Sequence, residues 1–241
     1  MAAPKGTIAV EEAVVNPHDL DWLSEVSSMY APGTTTKHHT LTQKLTDIHT
    51  DRLAHMDAEG VEYMLLSLTS PGPQGEPDPS LASTLASRSN DWLAAEVAKN
   101  PARFGALASL SMHSGAGAAA ELRRAVRELG MFGALLNDFQ SVWDGNAEGK
   151  QGRRYYDVDE YHVFWEAVQE LGVPVYMHPR YPQPTDLEPG ATTQYGPRRH
   201  LLGAAVSFHL DLSFHLYALM SSGVFDLYPK VQLVAGHLGE G

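Results

Sequence analysis

Short apolar runs alternate along this chain with longer amphipathic stretches. The first run, Thr7 to Val14, is rich in β-branched and apolar residues and reads as a strand, and the periodicity from about Thr42 to Gly60 reads as a helix. The unit then recurs: Tyr63 to Thr69 with Ser80 to Lys99, Phe104 to Met112 with Gly115 to Leu129, and Ala134 to Asn137 with Asp159 to Leu171. Val173 to His178, a helical pattern at about Leu201 to Ser222, and Val231 to His237 complete six strand candidates. Gly60, Gly130 and Gly172 each follow a helical run, where a left-handed C-cap belongs, and Pro101 closes another. Strands and helices in strict alternation predict an α/β fold with a parallel sheet, either an open doubly wound sheet or a closed (β/α)8 barrel. Both place their chemistry at strand C-termini. Asn16 to His39 and Tyr181 to Arg199 fit neither element and follow strand ends, where substrate-covering loops lie.

Three of the strand ends carry groups suited to metal or proton chemistry. In VPVYMHPR the apolar run stops at His178 and proline ends the strand at once, so a neutral imidazole is held rigidly at a strand C-terminus. In VQLVAGHLGE the strand runs into His237 and Glu240 between glycines, and the two could act as an acid/base pair, although a turn with a solvated glutamate has the same pattern. In IAVEEAV the adjacent Glu11 and Glu12 point to opposite faces of a strand, and the inward one is costly unless a cation or hydrogen bonds satisfy it. A metal ligand at Glu11 would meet that cost. Ser67 with Thr69, His113, and Asn137 with Asp138 also sit at predicted strand ends, as pocket residues or as ordinary turn caps. His209 is expected on the surface and His215 in the core or beside a pocket. His38, His39 and His49 lack ligand spacing and are read as solvated.

Composition narrows the chemistry. The 241 residues suffice for one large domain, and 43% apolar with 19% charged residues is ordinary for a globular protein. Seventeen basic against twenty-nine acidic residues give a net charge of −12, which argues against nucleic acid or an anionic membrane as partner and favours a small molecule. There is no cysteine, so any transition metal must rest on His and carboxylate ligands. No signal-peptide h-region or membrane span is evident, and the reading is a soluble, cytoplasmic protein.

Taken in order, IAVEEA, SPGPQG, RFGALASLSMH, GALLND, VPVYMHPR and GVFDLYPKVQLVAGHLGE closely resemble the amidohydrolase-related decarboxylases of the ACMSD-like family. The nearest likeness is to the decarboxylases of 2,3-dihydroxybenzoate and salicylate, and it runs from Ile8 to Glu240. The resemblance implies a TIM-type (β/α)8 barrel, spanning residues 1–241 as a single domain that stops after about six βα units. It also implies one divalent ion (Zn, Mn or Mg) and no organic cofactor, with Glu11 and His178 as metal ligands. A late aspartate ligand is expected beyond Gly241. His237 is implied beside metal and substrate, handling a proton with Glu240, while Arg180, Asn137 and Ser67 are implied on the substrate side. The implied reaction is non-oxidative loss of CO2 from an ortho-hydroxybenzoate in a homo-dimer or homo-tetramer.

Some relatives carry a histidine two residues after the first glutamate, where this chain has Ala13. That departure suits the dihydroxybenzoate and salicylate branch. Two rival readings are a metal-dependent hydrolase or hydratase on the same fold, and an inactive truncated fragment.

Overall fold

The computed structural model describes residues 6–17, 42–145, 151–187, 195–196, 198–204 and 206–237. Two compact units emerge from its contacts, one of residues 1–69 and 91–107, the other of residues 70–90 and 108–241.

The first unit is built on a three-stranded parallel sheet in the order β1 (Thr7–Val14), β2 (Val61–Leu68), β3 (Phe104–Ala106). Helix α1 (Asp51–Glu59) leads into β2 and ends at Gly60, whose φ of 68° supplies the left-handed cap anticipated for it. The predicted helix from Thr42 breaks before α1, because Asp47 turns back on the chain. Its carboxylate accepts from the Thr50 and Arg52 N–H groups at 3.2 and 2.9 Å, which terminates one helical stretch and starts the next. Those hydrogen bonds hold the Asp47 carboxyl below its ordinary range in spite of its partial burial. Val14, Met56, Leu66, Leu93 and Phe104 form the core of this unit.

A four-stranded parallel sheet underlies the second unit, in the order β4 (Ala108–Ser109), β5 (Ala134–Asn137), β8 (Pro174–His178), β9 (Gln232–Ala235). Helices α3 (Gly115–Arg127) and α4 (His162–Leu171) connect these strands, and α5 (Ser207–Ser221) with the short α6 (Val224–Leu227) precedes β9. Helix α2 (Pro79–Lys99) precedes β3. Ser114 caps α3 by accepting from the Gly117 N–H at 3.0 Å. Trp165, Phe164, Tyr161 and Tyr156 are fully buried and fill the core around α4.

Further expectations need correction. Phe104 to Met112 is not one strand: Leu107 N–H donates to Leu66 O, whereas Ala108 N–H donates to Gly133 O, so the run is divided between the two sheets. An antiparallel ribbon, β6 (Gln140–Trp143) with β7 (Gln151–Arg154), also follows β5, in a stretch to which the sequence pattern assigned no element. Its strands are short and carry Gln, Ser and Arg, so neither propensity nor alternation marks them. Of the two predicted covering loops, residues 18–39 of the first and residues 188–194 and 197 of the second lie outside the described residues, as do His38 and His39. His49 is placed, and it bonds Glu96 at 3.1 Å rather than standing solvated in a loop. His215 is buried as read, while His209 is half-buried rather than on the surface.

Candidate active site

His178 and His237 owe their places to the way a strand stops, and Glu11 to a bulge within one. On β1, Ala9 pairs with Met64 and Glu12 with Leu66, so Val10 and Glu11 together oppose the single residue Leu65. This is a β-bulge, a device that re-aims a side chain at a functional edge. Glu12 is held away by Arg52, whose Nη1 donates to its carboxylate at 3.1 Å and whose Nη2 donates to Ala13 O at 2.8 Å. Of the adjacent carboxylates, both half-buried, Glu12 is therefore a local ion-pair partner, and Glu11 is the one carried on the bulge. Ser67 lies buried on β2 opposite Ala13.

In the second unit, β8 ends at His178 because Pro179 has no N–H to continue the ladder. His178 is paired in register with Asn137 of β5, and Met177 with Ala235 of β9. One residue beyond β9, Gly236 N–H still donates to Met177 O at 2.9 Å. His237 then turns the chain with φ of 54°, a left-handed conformation uncommon for a residue with a side chain. A Cβ on Gly236 would lie 2.7 Å from Tyr176 Cε1 and 3.1 Å from its hydroxyl, closer than packed atoms approach. Gly236→Ala is therefore expected to displace the buried Tyr176 ring and destabilise the protein by about 1–3 kcal/mol. Thermal denaturation checks this, and an unchanged melting temperature would show that the close approach costs nothing.

The turn at His237 brings its ring edge-on to His178, with centroids 4.8 Å apart and Nε2 to Nε2 at 3.1 Å. His178 Nδ1–H donates to the Pro179 carbonyl, so the lone pair of His178 lies on Nε2, the nitrogen that faces His237. Two nitrogens each about 2.0–2.1 Å from one divalent ion lie about 3 Å apart when the angle at the ion is near 90°. The observed spacing and the fixed tautomer thus fit His178 Nε2 as a cation ligand, with His237 Nε2 near enough to be either a second ligand or a proton-carrying neighbour. Without an ion, the same contact is a hydrogen bond in which His237 donates. Phe208, at the start of α5, sets its ring edge-on to His237 at 5.9 Å, and Tyr181 meets Phe208 edge to face at 5.4 Å. His209 Nδ1 is bonded to the His237 carbonyl, which ties the left-handed turn to α5.

Asn137 and Arg180 join a buried polar network. The Arg180 guanidinium donates through Nη1 to the carbonyls of Gln74 and Phe139, both at 3.0 Å, and lies over the Phe139 ring at 4.1 Å. Burial pushes Arg180 down to about 10, still far enough above neutrality to leave it cationic. Arg153 lies over the same ring at 4.6 Å and is paired with Asp186 at 2.6 Å. A cavity of about 590 Å³ is lined by Phe139, Arg153, Arg180, Tyr195, Asp211 and His215 among others, but by neither His178 nor His237. His215 accepts from the Tyr156 N–H at 3.2 Å and bonds Asp138 at 3.0 Å, with both partners buried.

The structure therefore brings His178 and His237 together, sets Asn137 beside His178, and places Arg180 two residues on, in the wall of the cavity that Arg153 and His215 also line. Glu11 and Ser67 belong to the other unit, and Glu240 lies outside the described residues. Sequence reasoning overlooked Gln74, Phe208 and Tyr156. Gln74 lies inside the SPGPQG motif, which was a usable signal, whereas Phe208 and Tyr156 gain their roles only through contacts distant in sequence.

Comparison with known proteins identifies the family. The amidohydrolase family model matches residues 36–241. A gamma-resorcylate decarboxylase from Rhizobium radiobacter is 40% identical over 237 residues, which cover 98% of this chain and 68% of the relative. The structure of a 2,6-dihydroxybenzoate decarboxylase in complex with 2,6-dihydroxybenzoate superposes with a TM-score of 0.86 at 39% identity, covering 98% of this chain and 68% of that one. A dihydroxybenzoic acid decarboxylase from a Polaromonas species, with bound manganese and the inhibitor 2-nitroresorcinol, gives 0.84 at 39% identity, with 98% and 66% covered. These relatives are named for the 2,6-isomer, or for dihydroxybenzoic acid without an isomer, where the sequence motifs pointed first to 2,3-dihydroxybenzoate and salicylate. The fold they share is amidohydrolase-like, α/β with parallel sheets, and no described helix is long and apolar enough to cross a membrane. The chain belongs to the amidohydrolase family, alongside decarboxylases of hydroxybenzoates.

Proposed function

We propose that this protein is a divalent-metal-dependent decarboxylase of an ortho-hydroxybenzoate, with 2,6-dihydroxybenzoate as the first candidate substrate. One observation carries the reading: two imidazoles at the ends of adjacent parallel strands, 3.1 Å apart, in a chain 40% identical to a gamma-resorcylate decarboxylase. His178 and the Glu11 carboxylate would hold the ion, manganese by analogy with the Polaromonas relative. When bound, such an ion supplies Lewis-acid charge that orients and polarises a carboxylate beside a phenolic oxygen.

The remaining chemistry falls to the chain's own groups. Loss of CO2 leaves an electron pair at the ring carbon, and that carbon must gain one proton for the C–C bond it loses. His237, with a proton at Nε2, is the donor in this reading, and Glu240 resupplies it. Arg180 contributes a cation and Asn137 a carboxamide on the substrate side, with Ser67 as a further polar contact. The barrel architecture, a cytoplasmic location and a homo-oligomer belong to the same proposal. The oligomer is supported by Leu210, Phe214, Tyr217 and Met220, exposed at helical spacing along α5. Ala13, in place of a further histidine, speaks against the hydrolase alternative.

The test is CO2 release by the manganese-loaded chain from 2,6-dihydroxybenzoate, salicylate and 2,3-dihydroxybenzoate. Release from at least one acid, abolished by chelation, is the expected result. Turnover of none of the three, or turnover indifferent to a chelator, would remove the proposal.

A further inference from the structure

Strand β4 pairs with β5 only at Ala134 and Leu135, so beyond Leu135 that edge of β5 has no strand beside it among the described residues. Gln74, in the 3-10 turn Gly72–Gly75, occupies the position instead. Its Oε1 accepts from the Asn137 N–H at 2.7 Å, and its Nε2 donates to the Asn137 carbonyl at 3.1 Å and to the Tyr156 hydroxyl. A carboxamide that satisfies both main-chain groups of one residue does what a neighbouring strand would do there. The Tyr156 hydroxyl in turn donates to the Asn137 carbonyl at 2.9 Å. Gln74 also acts through its own main chain, whose carbonyl accepts from Arg180 Nη1 at 3.0 Å.

The same turn orients the Asn137 side chain. Asn137 Nδ2 donates to Pro71 O at 3.0 Å, and turning the amide over would set two acceptor oxygens against each other. The side-chain oxygen of Asn137 is consequently left as an acceptor, and it receives no hydrogen bond among the described residues. Buried acceptors without a donor are rare enough to point to a missing partner.

We propose that Gln74 is a positioning residue for substrate recognition: it fixes Asn137 beside His178 and anchors Arg180, so that the Asn137 oxygen receives a substrate hydroxyl. The inference rests on the decarboxylase reading and deepens it. An oriented acceptor favours an acid with a second ortho hydroxyl over one whose second ortho group is a methoxyl, which has no proton to give. Gln74→Glu keeps the size of the side chain but loses the donor to Asn137 O, and Gln74→Ala loses both bonds.

The experiment assays the manganese-loaded wild type, Gln74→Glu, Gln74→Ala, Asn137→Ala and the double Gln74→Ala/Asn137→Ala variant. The two substrates are 2,6-dihydroxybenzoate and 2-hydroxy-6-methoxybenzoate, with manganese content and melting temperature measured in parallel. The wild type is expected to prefer the dihydroxy acid by about tenfold or more in kcat/KM. Both Gln74 variants should bring the preference to within about threefold, through KM rather than kcat and at unchanged manganese content. Gln74→Ala should change the preference no further once Asn137 is alanine. A preference untouched by Gln74 substitution, an equal loss on both acids, or loss of manganese would overturn the proposal. If Gln74→Ala does not fold, Gln74→Glu decides. If neither variant folds, the residue is structural and the proposal falls. A wild type that turns over neither acid overturns the decarboxylase reading instead, and the same preference is then read from calorimetric binding of the two acids.

Discussion

Replacing His178 with alanine is expected to cost the protein its divalent ion and its activity together. The lone pair on His178 Nε2 is fixed by the Nδ1–H bond to Pro179 O, and the strand end allows the ring little freedom to be replaced by a neighbour. Removing an outer partner of a metal ligand already lowers affinity by about 10–100-fold, so losing a ligand outright should cost at least about 100-fold in manganese affinity. Decarboxylation should fall by about 1000-fold or more at a metal concentration that saturates the wild type. Elemental analysis after gel filtration, with CO2 release on the same samples, checks both. A variant that holds one equivalent of manganese as tightly as the wild type would show that His178 is not a ligand. Glu11→Ala provides the parallel test from the first unit, because the site assignment requires its carboxylate as well.

A different pattern is expected at His237. The most informative substitution is His237→Asn, since asparagine adopts left-handed backbone more readily than most residues and so preserves the turn at φ of 54°. If His237 handles the proton, this variant keeps manganese within about twofold of the wild type while kcat drops by about 10²–10⁴-fold, the usual worth of a positioned acid or base. Added imidazole should restore part of the rate. Loss of manganese in His237→Asn would instead make His237 a ligand, which its 3.1 Å approach to His178 Nε2 also allows chemically. Metal content and rate, measured on one preparation, separate the two roles.

Much of the framework is legible in the chain itself. The strands Thr7–Val14 and Ala134–Asn137 were read to the residue, and β8 differs from its prediction only at Val173. Helix ends at Gly60 and Gly172 were legible because a left-handed cap is a local requirement that glycine meets. Less legible were features that depend on partners. The run from Phe104 to Met112 is uniformly apolar, and nothing in it signals that Leu107 and Ala108 bond to different strands. Ribbon β6–β7 lacks hydrophobic alternation because its residues face polar partners, such as Gln183 bonded to Ser141 Oγ at 3.1 Å and to Gly152 O at 3.0 Å.

For the site, the sequence by itself determined which groups stand at strand ends: His178 before a proline, His237 after a glycine, and Glu11 within an apolar strand. It could do so because strand length and chain breakers are local properties. Only tertiary structure decided how those groups act. The orientation of the His178 lone pair depends on a carbonyl, the 3.1 Å imidazole pair depends on a left-handed turn packed against α5, and the separation of Glu12 from Glu11 depends on Arg52 some 40 residues away in the chain. The cradle that Gln74 makes for Asn137 joins residues 63 positions apart. Hydrogen-bond direction and side-chain spacing are set by whichever groups the fold brings within about 3 Å, and no local pattern in the chain encodes that choice.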